Sequence, residues 1–293
     1  MKRLKAIWEI MRLEHGIMIA IAILIGSLIA KNGFPNIDKF IFTFFTALFL
    51  EASAFALNDY YDVEIDKKNK RTDRPLVRGD LSPKSALYIF LIFFPLGIIS
   101  SYFVNLTCFV IAVITAIFAI LYDSLLKKVK LLGNFFIAYI MAIPFIFGGA
   151  AVLEESVISL NISPPIFIIA IIAFLTGVGR EIMKDVMDFE GDKEKGVKSF
   201  PKYIGMRASN VIAALFYIIA IMLSFIPYAS SHYGVFYKND YYLLLIFITD
   251  TMLLSTSLQL IFKKHPNLNF HRKFTLFAIF FGLVAFLLSA FLW

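Results

Sequence analysis

The sequence predicts an all-α integral membrane protein, a bundle of nine transmembrane helices arranged as two four-helix halves plus one. Three observations carry this expectation. The 293 residues are 60% apolar and only 17% charged, with a mean hydropathy of +0.80, whereas a soluble domain is about half apolar and a quarter charged. Apolar stretches of about 20 residues, the length that crosses a hydrocarbon layer as a helix, recur along the chain. The basic residues fall almost entirely on one side of the resulting layout. Open strands are excluded because lipid cannot satisfy exposed backbone groups, and the apolar runs are continuous rather than alternating as barrel strands are.

The first apolar span, residues 15–31, follows Lys2, Arg3 and Lys5 as a signal peptide would, but no small-residue cleavage site succeeds it and eight further spans do, so it reads as a retained helix. Those spans cover residues 40–57, 85–104, 106–122, 133–153, 165–180, 210–228, 241–262 and 274–292. Between them, segments 58–84 and 181–209 are long and dense in both charges, and 123–132 and 263–273 are short and basic. On the opposite side, 32–39, 154–164 and 229–240 are short and carry Pro, Asn and Ser, which suits turns. The amino terminus and the segments after spans two, four, six and eight share one side and hold 25 of the 28 Lys and Arg; Lys31, Lys39 and Lys238 remain. The positive-inside rule therefore puts the amino terminus in the cytoplasm and Trp293 outside a cell membrane. The net charge of +7 then reports topology, not a nucleic-acid partner. The one cysteine, Cys108, lies inside span four, which removes disulfides and Cys-based metal sites. No soluble domain interrupts the pattern, so residues 1–293 form one domain.

A repeat emerges when the two long loops are aligned. Asp59, Asp62 and Asp66 read D-x-x-D-x-x-x-D, and Asp185, Asp188 and Asp192 read the same 126 residues later, an offset that Pro75 and Pro201 share. The simplest account is a parallel repeat, with halves of about 1–132 and 133–273 and a ninth helix appended, which brings the two acidic loops face to face.

Spacings of three, four and seven put each aspartate set on one helical face if spans two and six continue past the membrane, and Asn58, Asp62 and Asp66 form a second row. Six convergent carboxylates repel unless cations sit between them. Oxygen ligands with no His or Cys nearby suit Mg²⁺ or Ca²⁺, and magnesium diphosphate is the natural guest of two acidic loops with open metal positions. Arg71, Arg74 and Arg78 flank the first loop, Lys184, Lys193, Lys195 and Lys198 the second, and Lys127 and Lys128 lie on the short loop between. Most of these basic residues serve topology; Arg74 and Lys127 stand out by their closeness to the acidic loops. Glu51 and Asp250 are acids inside spans, costly there and worth locating.

Asn58-Asp59-Tyr60-Tyr61-Asp62-Val63-Glu64-Ile65-Asp66 with Arg71-Thr72-Asp73-Arg74-Pro75-Leu76 resembles the first signature of the UbiA superfamily of intramembrane prenyltransferases. Arg180-Glu181-Ile182, Lys184-Asp185, Asp188 and Gly191-Asp192 resemble its second, and Tyr122 followed by Lys127-Lys128 resembles the stretch after the family's fourth helix. The resemblance implies nine helices and Mg²⁺ held by Asn58, Asp59, Asp62, Asp66, Asp185, Asp188 and Asp192. It implies a diphosphate met by Arg12, Arg71, Arg74, Lys127, Lys128 and Lys184, with Asp62, Asp66, Asp185, Asp192, Lys127 and Tyr122 in catalytic roles. The expected partners are a prenyl diphosphate, a lipid-soluble acceptor and membrane lipid, with no obligate protein partner. Within the superfamily the motif wording is most like archaeal enzymes that join a geranylgeranyl group to the glycerol hydroxyl of geranylgeranylglyceryl phosphate; aromatic acceptors such as 4-hydroxybenzoate are the alternative. A CDP-alcohol phosphotransferase is disfavoured because its D-G-x-x-A-R signature is absent. An ion-coupled transporter is disfavoured because the repeated carboxylates lie at helix ends and loops, and because no span reads as having the Gly/Pro interruption expected at a transport site near its midpoint.

Overall fold

The computed structural model describes residues 2–68, 70–124, 129–153, 158–159, 161–194 and 196–292, which are helical apart from short connections. A polar amino-terminal helix, α1 (Lys2–Met11), turns through 45° into α2 (Leu13–Lys31). There follow α3 (Ile37–Lys68), the single turn α4 (Pro75–Arg78), α5 (Pro83–Val104), α6 (Leu106–Ser124), α7 (Lys130–Ala150) and α8 (Pro164–Met187). The short α9 (Phe189–Glu194), α10 (Phe200–Ala229), α11 (Asp240–Phe262) and α12 (Leu268–Phe291) complete the order. Among the described residues, eight helices are long and apolar enough to cross a membrane, and the bent pair Arg3–Met11 and Gly16–Lys31 supplies a ninth when taken as one span. Each of the nine apolar stretches read from the sequence falls on one of these helices.

Local chemistry sets the boundaries. Ser82, Asn239 and Asn267 accept hydrogen bonds from the backbone amides of Ser85, Tyr242 and Phe270, capping α5, α11 and α12. Helix α3 has 32 residues, about 48 Å at helical rise against roughly 30 Å of hydrocarbon, so its last turns stand clear of the apolar layer. Those turns carry the first aspartate row. Helix α8 does not do the same: it ends at Met187, Asp188 is its C-cap with φ −94° and ψ 4°, and a new helix starts at Phe189. Asp185, Asp188 and Asp192 therefore do not share one continuous helical face as the sequence spacing predicts. Helix α10 starts at Phe200, ten residues ahead of its apolar stretch, and breaks at Gly205 (φ 80°, ψ 159°). Pro95 and Pro144 stand near the middles of α5 and α7, but both helices run on through them.

Helix α3 packs most extensively on α5, α8 on α10 and α7, and α2 on α7. The α2–α7 contact is backbone to backbone. A Cβ built at Gly26 would lie 2.1 Å from the Phe145 carbonyl oxygen, one at Gly148 would lie 2.0 Å from that of Ile23, and the Ser27 hydroxyl donates to the Gly148 carbonyl at 2.9 Å. In lipid, where apolar packing gains nothing over solvent tails, such close approach of small residues is what holds helices together.

Candidate active site

A chamber opens among α2, α3, α5, α6 and α7, and among the described residues none of its lining comes from α8 or from α10 to α12. Its walls are overwhelmingly aliphatic and aromatic. Along α3 the lining runs from Thr46 to Asn58, about 18 Å at helical rise. Asn58, Tyr122 and Asp123 line it near the ends of α3 and α6, and Glu51 lines it deeper. The Tyr122 ring leans on Phe136 at 5.1 Å. Asp185 of the second motif bonds to Asn134, two residues before Phe136 of the chamber wall, and Asp123 beside Tyr122 bonds to Asn58 of the first, so acids of both motifs stand toward one end of the chamber.

The members of each motif have different surroundings. Asn58 donates from Nδ2 to Asp123 Oδ1 at 2.8 Å. That bond fixes the amide and turns Oδ1, the atom able to meet a hard cation, the other way. Asp59 is 2% exposed and its Oδ1 accepts from Arg12 Nη2 and Arg74 Nη1, each at 2.7 Å. Arg12 holds a left-handed backbone (φ 47°, ψ 47°) at the α1–α2 bend, and its guanidinium lies 4.2 Å from the Phe55 ring centroid, a cation–π contact. Asp66 is buried, with Oδ2 3.9 Å from Arg74 Nε; Asp62 is half-buried.

In the second motif Asp185, also 2% exposed, accepts from Asn134 Nδ2 at 2.7 Å and lies 3.3 Å from Lys130 Nζ. The first aspartate of each set is thus tied to the start of α2 or α7. Asp188 is exposed at the end of α8. The backbone of Asp192 is in α9; its side chain, like all of Lys127 and Lys128, lies outside the described residues. Lys184 meets both carboxylate oxygens of Glu181 at 2.8 and 2.7 Å, and Arg180 Nη1 is 3.9 Å from Glu181. Arg71 holds Asp73 at 2.9 and 2.8 Å, which keeps the Asp73 carboxyl below the usual carboxylate range. Arg78 ties Glu9 of α1 to Asp80 and so straps α1 over the first loop.

Among the described residues no three His, Cys, Asp or Glu side chains converge closely enough to hold an ion. The donor chemistry still fits a hard cation, since Asn58, Asp62, Asp66 and Asp188 offer oxygen ligands, while Arg12 and Arg74 are held by Asp59 and Lys130 by Asp185. Asp123, Lys130, Asn134 and Phe55 went unnoticed in the sequence. Asp123 is next to Tyr122 in the chain, but Asn134 contacts Asp185 from 51 residues away and no spacing announces it. Of the two acids inside spans, Glu51 faces the chamber. Asp250 is buried between α10 and α11, away from the chamber lining, and accepts from the Ser224 hydroxyl at 2.6 Å.

Comparison with known proteins fits this arrangement. The model of the UbiA prenyltransferase family matches residues 19–283. The chain belongs to the UbiA prenyltransferase family. It is a prenyltransferase and a multi-pass membrane protein, as its motifs lead one to expect. Among its relatives, digeranylgeranylglyceryl phosphate synthase of Archaeoglobus fulgidus is 41% identical over 290 residues, covering 98% of this chain and 96% of the relative. The synthase of Methanococcoides burtonii is 35% identical over 295 residues, covering 98% and 100%. A solved structure described as digeranylgeranylglyceryl phosphate synthase superimposes with a TM-score of 0.81 at 34% identity, with all of both chains covered. A UbiA homolog from Archaeoglobus fulgidus bound to DMAPP and Mg²⁺ shares the fold, with a TM-score of 0.60 at 17% identity, covering 96% and 98%.

Proposed function

We infer that this UbiA-family enzyme transfers a geranylgeranyl group from geranylgeranyl diphosphate to the glycerol hydroxyl of geranylgeranylglyceryl phosphate, forming the second ether bond of an archaeal membrane lipid. The observation that carries this reading is its similarity, along almost the whole chain, to relatives named for that product. The architecture supports it, because a long apolar chamber that ends among acids and guanidinium groups suits a substrate with a lipid tail and an anionic head.

We propose that Asn58, Asp62 and Asp66 on one side and Asp188 and Asp192 on the other hold Mg²⁺. Magnesium bound there would neutralise diphosphate charge and ease departure of the leaving group. Arg12 and Arg74 stand beside the same position and suit the growing negative charge on the departing diphosphate as the allylic C–O bond breaks. Lys127 and Lys128 are proposed for the same task on their loop. The chamber walls exclude water from the allylic cation, which would otherwise be quenched as an alcohol. Tyr122, backed by Phe136, presents an aromatic face at the mouth where that charge develops. The charge distribution of the loops supports an amino terminus and active-site mouth in the cytoplasm.

The test incubates purified protein in detergent with geranylgeranyl diphosphate, magnesium and either geranylgeranylglyceryl phosphate or 4-hydroxybenzoate, and reads product mass with an EDTA control. A magnesium-dependent diether is expected. A prenylated phenol in its place would keep the prenyl transfer and overturn the acceptor.

A further inference from the structure

Two carboxylates line the chamber, and they are differently placed. Asp123, at the mouth, accepts from Asn58 at 2.8 Å and thereby sets the orientation of a proposed cation ligand. Glu51 lies seven residues before Asn58 on α3, two turns along the same face and about 10 Å deeper, in the wall of a chamber lined mostly by apolar side chains. Its carboxylate lies beside α2 at Gly16, where a built Cβ would stand 3.4 Å from Glu51 Oε2. An acid placed in lipid-depth surroundings is costly and marks function more often than packing. The chemistry proposed at the mouth does not use it, since a departing diphosphate calls for cations and an acid would repel it.

The reaction does need a group at this level. The acceptor hydroxyl must lie within about 3.5 Å of the allylic carbon, on the tail side of the diphosphate, where apolar walls offer few hydrogen-bond acceptors. We propose that Glu51 accepts the hydrogen bond of the acceptor's alcohol and takes its proton as the ether bond forms. This deepens the reading above and rests on it. In the step, the allylic C–O bond breaks with its electron pair leaving on the diphosphate. The acceptor oxygen donates a pair to the allylic carbon, and its proton moves to a Glu51 carboxylate oxygen.

Glu51→Gln and Glu51→Leu test this when ether product, geranylgeraniol and pyrophosphate are measured together, with the melting temperature of each variant in detergent. Gln keeps a hydrogen-bond acceptor but takes no proton. It is expected to lower kcat for the ether by about 100-fold with little change in acceptor KM. Leu is expected to raise acceptor KM as well. In both, ether formation stalls after ionisation, so even the little water that the apolar walls admit has time to trap the cation; pyrophosphate release continues with geranylgeraniol as the organic product, a shift in partition that a structural defect would not cause. Ether formation at the wild-type rate in both variants, or a parallel loss of ether and pyrophosphate at unchanged melting temperature, overturns the role of Glu51. If Leu fails to accumulate, the isosteric Gln variant carries the test alone. Failure of the wild-type enzyme to make the diether would instead overturn the acceptor reading, so the two failures are separable.

Discussion

Asp59 and Asp62 are one helical turn apart on α3, but only Asp59 is sealed under two guanidinium groups, at 2.7 Å each. Breaking a buried charge pair from one side strands the partner and costs about 3–5 kcal/mol. Asp59→Ala is therefore expected to lower the melting temperature of the detergent-solubilised protein by several degrees, with or without magnesium. Asp62→Ala, half-buried at the mouth, is expected to leave melting nearly unchanged and to remove at least about 99% of turnover. Thermal melts with and without EDTA, paired with Mn²⁺ titration, separate the two: loss of bound cation in Asp62→Ala and its retention in Asp59→Ala is the expected pattern. Equal loss of cation in both would return Asp59 to the ligand set. The sequence could not make this distinction, because spacing gives Asp59, Asp62 and Asp66 one face while the partners that divide them, Arg12 and Arg74, arrive from 47 and 15 residues away.

The helices were far more legible than their ends. Apolar runs as long as a bilayer is thick leave little freedom in assigning spans, so all nine stretches coincide with helices. Their polar extensions obey other rules. Helix α3 continues to Lys68 because nothing in residues 58–68 breaks it, whereas α8 stops at Met187 and a second helix begins two residues on. Periodicity is silent on that break. Close helix approach was equally hidden, since Gly26 and Gly148 are ordinary members of apolar runs until α2 and α7 touch. Because even a Cβ at position 26 would come within 2.1 Å of the Phe145 carbonyl oxygen, Gly26→Leu is expected to destabilise the fold by about 1–3 kcal/mol or more, seen as lower yield and an earlier melt. Gly191→Ala, with nothing within 4 Å of its built Cβ, is the contrasting substitution and should leave melting where it is.

At the scale of the whole molecule, the chamber belongs to α2, α3, α5, α6 and α7, while α8 brings Asp185 of the second acidic set against Asn134 at the start of α7. The sidedness of the basic residues makes its own prediction. In a Cys108→Ala background, Lys238→Cys should react with an impermeant maleimide on intact cells, and Lys68→Cys only after permeabilisation; the reverse would invert the orientation. The division of labour predicts how chain length is measured. Ala112 of α6 lines the chamber, is 2% exposed and lies eleven residues before Asp123, about 16 Å from the mouth at helical rise. A side chain added there meets only the far end of a long isoprenoid. Ala112→Phe is expected to lower kcat/KM for geranylgeranyl diphosphate about tenfold or more, from the 1–3 kcal/mol cost of overpacking, while geranyl diphosphate, which stops short, keeps its rate within about twofold. Competition between the two diphosphates, resolved by product mass, reads this directly. A parallel fall in both would mean that Ala112 supports the fold and that the tail leaves the chamber before reaching it.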